Sequence, residues 1–142
     1  MIRQFVGNDV GIPLTGRILP DDIPAELVAS GKLDGMTAVQ TYSVEINTPA
    51  NKNFVTKYKA KFNAAPTMVS FQNYEAIYLL ADAIKRSGSG TRAAIREALT
   101  TANMPSMVGG VIKFDANNLA HNKVVVLTIK GGKVVILDYT DT

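Results

Sequence analysis

At 142 residues, with 46% hydrophobic residues and a mean hydropathy of +0.09, the chain is long enough for one domain with its own core and too apolar to stay disordered. Its net charge of +3 comes from lysines and arginines that are scattered rather than bunched, which argues against a nucleic acid partner. It has no cysteine, which excludes disulfides, thiol nucleophiles and cysteine zinc sites, and no apolar run is long enough to span a bilayer.

Ile2 to Val6 reads as a short strand ending at Gly7, followed by a loop with Asn8, Asp9, Gly11 and Pro13. Asp21 or Asp22 can cap a short helix carrying Ile23, Leu27 and Val28, with Pro24 tolerated in its first turn. Gly35 to Tyr42 alternates as a strand, with Met36, Ala38, Gln40 and Tyr42 on one face and Thr37, Val39 and Thr41 on the other. Thr48 before Pro49 is a strong helix start. That helix places Phe54, Tyr58 and Phe62 at steps of four and ends at Asn63, a residue suited to a left-handed cap.

Pro66 and Thr67 open the longest periodic segment, which runs to Gly88. Tyr74, Ile77, Tyr78, Ala81 and Ile84 recur at helical spacing, and Ala76, Leu79, Leu80 and Ala83 add a second apolar surface. Only a narrow polar strip remains, with Glu75, Asp82, Lys85 and Arg86; Asp82 can reach both of the last two. A helix apolar on most of its circumference must be covered on more than one side, by the rest of the chain or by a partner. Thr91 caps a third helix, with Ile95, Ala98, Leu99 and Ala102 facing inward, ended by Asn103 and Pro105.

From Gly110 the period changes to two. Gly110 to Phe114 is a strand closed by the loop Asp115 to Asn118, and Val124 to Lys130 and Lys133 to Tyr139 are strands joined by Gly131-Gly132, a strong hairpin signal. The order of β, α, β, three helices and three strands makes an α/β chain.

Catalytic constellations are scarce. His121, the only histidine, sits in a polar loop with no acidic neighbour in sequence and reads as solvated. Asp21-Asp22 are explained by capping, Glu45 and Glu97 read as solvated, and Gly88-Ser89-Gly90 and Gly109-Gly110 lack dinucleotide or phosphate-loop spacing. No cofactor or metal is indicated. The feature that stands out is Asn8-Asp9 after the first predicted strand. In open α/β sheets ligands bind beyond the carboxyl ends of strands, and an acid there can hold an ammonium group. The competing reading is an Asx turn without a ligand.

Five stretches together resemble the C-terminal part of type I periplasmic solute-binding proteins, the leucine/isoleucine/valine-binding family of ABC importers. They are FVGND (Phe5 to Asp9), LDGMTAV (Leu33 to Val39), NKNFVTKYKAKFNAAP (Asn51 to Pro66), NYEAIYLLADAIKRSGS (Asn73 to Ser89), and GGVIKFDANN (Gly109 to Asn118) with the closing VVVLTIKGGKVV. Their order and spacing cover nearly the whole chain.

The resemblance implies Rossmann-like lobes, a small amino-acid-like solute held in a cleft between them, an ABC permease as partner, no catalysis, and a periplasmic or extracellular location. The residues of the N-terminus, MIRQFVGND, show no signal peptide, so Met1 is either a cytoplasmic start or the start of a mature or truncated form. In the family the acid after the FVG-like strand contacts the ligand's ammonium group, which maps onto Asp9. Asn8 adjoins it. The start of the long helix faces the cleft, which adds Phe71, Gln72 and Tyr74, although Tyr74 also lies on the apolar stripe. Full members are more than twice this long, and the portion that grips the ligand carboxylate has no counterpart here. By the same mapping, residues 1–43 and 119–142 belong to one lobe and residues 44–118 to the other. The chain should then expose large apolar patches unless the missing half or a second copy, as in a swapped dimer, covers them. A ligand-sensing module of a receptor or regulator is an alternative of the same ancestry; a small α/β enzyme is a third reading without a visible nucleophile and base.

Overall fold

The computed structural model of the protein describes residues 2–16 and 23–141; the predicted cap at Asp21 or Asp22 lies outside the described residues. Among the described residues, two sheets and five helices make a mixed α/β fold.

The main sheet has the order β1-β2-β6-β7: Thr15–Gly16, Thr37–Gln40, Lys123–Lys130 and Lys133–Asp141. β1 runs parallel to β2, and the other neighbours are antiparallel. β2 follows its predicted alternation: Ala38 and Gln40 are buried, as are the flanking Met36 and Tyr42, while Val39 is exposed. Gly131 and Gly132 form the two-residue hairpin turn with φ of 58° and 69°, the left-handed values such a turn requires. Asp34 fastens this turn, its carboxylate accepting from the N–H groups of Gly131 at 2.7 Å and Gly132 at 3.1 Å.

The segment Ile2–Gly7 is a helix, α1, and not the expected strand. Its apolar residues explain the difference. Ile2, Phe5 and Val6 follow the i, i+3, i+4 spacing of one helical face, and all pack against the cluster of Ile23, Leu33, Met36 and Ile129. A strand would have turned Gln4 inward with Ile2 and Val6. The short helix α2, Ala25–Ala29, adds Leu27 and Val28 to this cluster.

The remaining helices are α3 (Pro49–Phe62), α4 (Met68–Ser87) and α5 (Arg92–Thr100). Each begins with a threonine whose side chain accepts from a backbone N–H of the first turn: Thr48 from Asn51, Thr67 from Ser70, Thr91 from Ala94. α3 and α4 end on left-handed Asn63 and Gly88. A second small sheet joins β3 (Met104–Pro105), β4 (Val111–Phe114) and β5 (Ala120–His121). β3 and β5 have two residues each, too short to leave a period in the sequence.

The larger core cluster ties the helices to the main sheet. Tyr42, Ile46, Phe54, Met68, Phe71, Met107, Val108, Val125 and Leu127 form it. α4 buries Met68, Phe71, Glu75 and Ala83. The opposite flank is open: Val69, Ile77 and Tyr78 are 57%, 65% and 55% exposed, with Tyr74, Leu80 and Ile84 also exposed. The predicted stripe through Tyr74, Ile77, Tyr78 and Ile84 is therefore the uncovered side of the helix, and the predicted polar strip turns inward at Glu75.

Candidate functional site

Because Ile2–Gly7 is helical, Asn8 and Asp9 follow a helix and not the carboxyl end of a strand. Asn8 closes that helix: its N–H and its side-chain amide both bond the carbonyl of Gln4, at 2.9 and 2.8 Å. Asp9 has a left-handed backbone, with φ of 51°, the conformation asparagine and aspartate tolerate best among side-chain-bearing residues. Its side chain is exposed and has no hydrogen bond or ion pair among the described residues.

Phe71, Gln72 and Tyr74 share the first turns of α4 but face different surroundings. Phe71 is 2% exposed and stacks on Tyr42 with ring centroids 4.5 Å apart and planes inclined by 10°. Gln72 is exposed and donates its amide to the Thr41 hydroxyl at 3.2 Å. Tyr74 lies against Phe54 and Tyr78, and its hydroxyl donates to that of Tyr78 at 3.2 Å. That bond, then partial burial and the neighbouring phenol, raise the Tyr74 phenol above its ordinary range. No described contact joins Asn8 or Asp9 to these α4 residues.

A hollow of about 650 Å³ lies along the main sheet where β2 leads into the segment before α3. Its walls are largely apolar, with Ile23, Val28, Pro66, Met68 and Val134 among them, and Gln40, Ser43, Glu45 and Lys133 supply polar groups. Gln40 is 4% exposed and its Nε2 is buried without a partner. None of Asn8, Asp9, Phe71, Gln72 and Tyr74 lines this hollow. The alternation of residues 35–42 did carry a signal for Gln40, a carboxamide on an otherwise apolar inward face.

Among the described residues, two acidic groups depart from their ordinary behaviour. Glu75 is buried, and that burial holds its carboxyl above the usual range against hydrogen bonds from Met107 and Ser106 that favour ionisation. Asp115 is held below the usual range, first by the Leu119 N–H, with Asn117 N–H and His121 acting in the same direction. His121 does have an acidic neighbour: pairing of β4 with β5 brings its Nε2 to 3.5 Å from Asp115. Among the described residues no group of three or more His, Cys, Asp and Glu side chains is placed to hold a metal ion, and no helix is long and apolar enough to cross a membrane.

The sequence profile of the periplasmic binding protein family matches residues 11–133. No curated protein matches the chain. Solved structures do. A solute-binding protein of an ABC transporter from R. palustris, in complex with benzoate, is 25% identical with a TM-score of 0.79 over 97% of this chain and 38% of its own. A leucine-binding protein from Thermotoga maritima is 29% identical with a TM-score of 0.72 over 97% of this chain and 40% of its own. An amino acid ABC transporter substrate-binding protein from Pseudomonas fluorescens, 19% identical, shares the fold with a TM-score of 0.82 over 99% of this chain and 40% of its own. The chain spans about two fifths of the length of these proteins. It belongs to the periplasmic binding protein family, with the type I fold found in the binding proteins of branched-chain amino acid ABC transporters.

Proposed function

We propose that this chain is part of the solute-binding component of an ABC importer and contributes to an inter-lobe site for an amino acid or a similar small polar solute. The match of the family profile to residues 11–133 carries the reading. Similar structures hold benzoate in one case and belong to a leucine-binding protein in another, which leaves a small carboxylate with an apolar body as the shared chemistry. Its place of action is then the periplasm or the cell exterior, its partner is a membrane permease, and it carries no catalysis.

Residues 1–43 and 119–142 are assigned to one lobe and residues 44–118 to the other, with the Tyr42–Phe71 stack at their junction. Asp9, with Asn8 beside it, is assigned to the solute's ammonium group, and the first turns of α4 to the cleft wall. The exposed, unpartnered carboxylate of Asp9 is free to take such a cation. The open flank of α4 is assigned to a missing partner surface, either further segments of a longer protein or a second copy. With much of the site outside this chain, binding by the 142 residues alone is weak.

Ligand-observed NMR with leucine and with benzoate tests this reading. Weak binding of leucine is expected, and Asp9→Asn should reduce it roughly ten- to hundredfold, the worth of one charge-assisted hydrogen bond. Benzoate, which has no ammonium group, should be unaffected by the substitution. Tight leucine binding by the chain in calorimetry contradicts a site completed elsewhere; an equal loss for both solutes, or no loss for leucine, contradicts the role of Asp9.

A further inference from the structure

Glu75 is the buried acid among the described residues, and it does not line the hollow along the main sheet. It is 7% exposed, and its Oε1 accepts from the Ser106 hydroxyl at 2.8 Å and from the Met107 N–H at 2.6 Å. The Met107 carbonyl accepts from the Thr48 hydroxyl, the same oxygen that caps α3 by accepting from the Asn51 N–H. Met107 is thus gripped on both sides, its N–H by Glu75 of α4 and its carbonyl by Thr48 at the start of α3. Met107 and Val108 are thereby held in the larger core cluster, 8% and 1% exposed, beside Phe71 and Val125.

We propose that Glu75 is a proton-sensitive clasp: a positioning residue that pins the Ser106–Val108 turn to α4 and α3 more firmly in acid than at neutral pH. The geometry sets the direction. Opening the turn returns the carboxylate to water, whereas closing it buries a charge with two neutral donors and no cation. The charged groups on the surrounding elements do not compensate it. On α4, Asp82 pairs with Arg86; Lys52 and Lys57 on α3, Arg92, Arg96 and Glu97 on α5, and Lys113 on β4 are exposed, and Lys123 on β6, half-buried with its stem beside Gly109 and Gly110, does not bond Glu75, whose partners are Ser106 and Met107. Burial raises the closed-state carboxyl above its solvated value, so protonation favours the closed turn. The contribution is full below the ordinary glutamate range and is lost as pH rises through the raised value.

Amide exchange at Met107 and Val108, measured across the acid-to-neutral range on the full chain, tests the clasp. Glu75→Gln keeps a carbonyl oxygen for both donors without a charge. Wild-type protection, normalised to Glu75→Gln at each pH, should rise severalfold on acidification, with the glutamine variant the better protected at neutral pH. Glu75→Ala should lose protection of both amides at every pH. Identical pH profiles for wild type and Glu75→Gln overturn the proposal, and so does full protection in Glu75→Ala. If the alanine variant does not fold, the wild-type and glutamine profiles alone decide.

Discussion

Phe71 separates core packing from solute contact more sharply than any other candidate residue. It is 2% exposed, stacked on Tyr42, and shares a cluster with Phe54, Met68, Val108 and Val125. A buried phenylalanine removes about 150–250 Å² from water. At about 25 cal/mol per Å² the transfer part alone comes to roughly 4–6 kcal/mol, an upper estimate because unfolded chains are partly collapsed. Measured truncations of buried phenylalanine fall at about 3–5 kcal/mol. Against a typical domain stability of about 5–15 kcal/mol, Phe71→Ala should remove a large share or unfold the chain. Phe71→Leu keeps most of the volume and loses only the ring stack, worth about 0.5–1.5 kcal/mol, plus a small packing term. Urea denaturation followed by far-ultraviolet circular dichroism gives both values. A loss below about 1 kcal/mol for Phe71→Ala, with an unchanged denaturant slope, would refute the core placement, since no fully buried ring in a packed cluster is that inexpensive to delete.

Gln40→Leu should raise stability by about 1–3 kcal/mol, because it removes a buried carboxamide nitrogen that has no partner and keeps the volume; a loss of that size in the same urea titration would mean that the amide is satisfied by something bound in the hollow. Ile77→Lys, at a side chain 65% exposed, should lower the urea midpoint only by releasing a partner from the open flank of α4, a loss that shrinks on dilution; a drop beyond about 1 kcal/mol that is the same at every protein concentration would place Ile77 in a packed contact within the chain.

Much of the fold was legible because the signals were local. The Thr48, Thr67 and Thr91 caps, the left-handed Asn63 and Gly88, and the Gly131-Gly132 turn each depend on a few adjacent residues. The alternation of residues 36–42 also gave the correct inward face, Gln40 included. The segment from Ile2 to Val6 was misread because five residues with three apolar positions suit either period, and packing on Met36 and Ile129 decides between them. Glu75 was misread for a different reason. Composition ranks a glutamate as surface, and only Ser106 and Met107, distant in sequence, make its burial tolerable. The candidate site was legible as residue types and not as a constellation. Asp9 is exposed after a helix, Phe71 is buried, and Gln72 is bonded to Thr41, so the described residues do not bring them together around one hollow.

In the proposed reading the flank of α4 carrying Val69, Ile77, Tyr78 and Ile84 is covered by a partner surface, and for the isolated chain a second copy is the one available. Sedimentation equilibrium at micromolar concentration tests it directly. A mass above the 15.2 kDa of one chain is expected, returning to that value when Ile77 and Tyr78 are both replaced by lysine. A wild-type chain that sediments as a clean, folded 15.2 kDa monomer would contradict it.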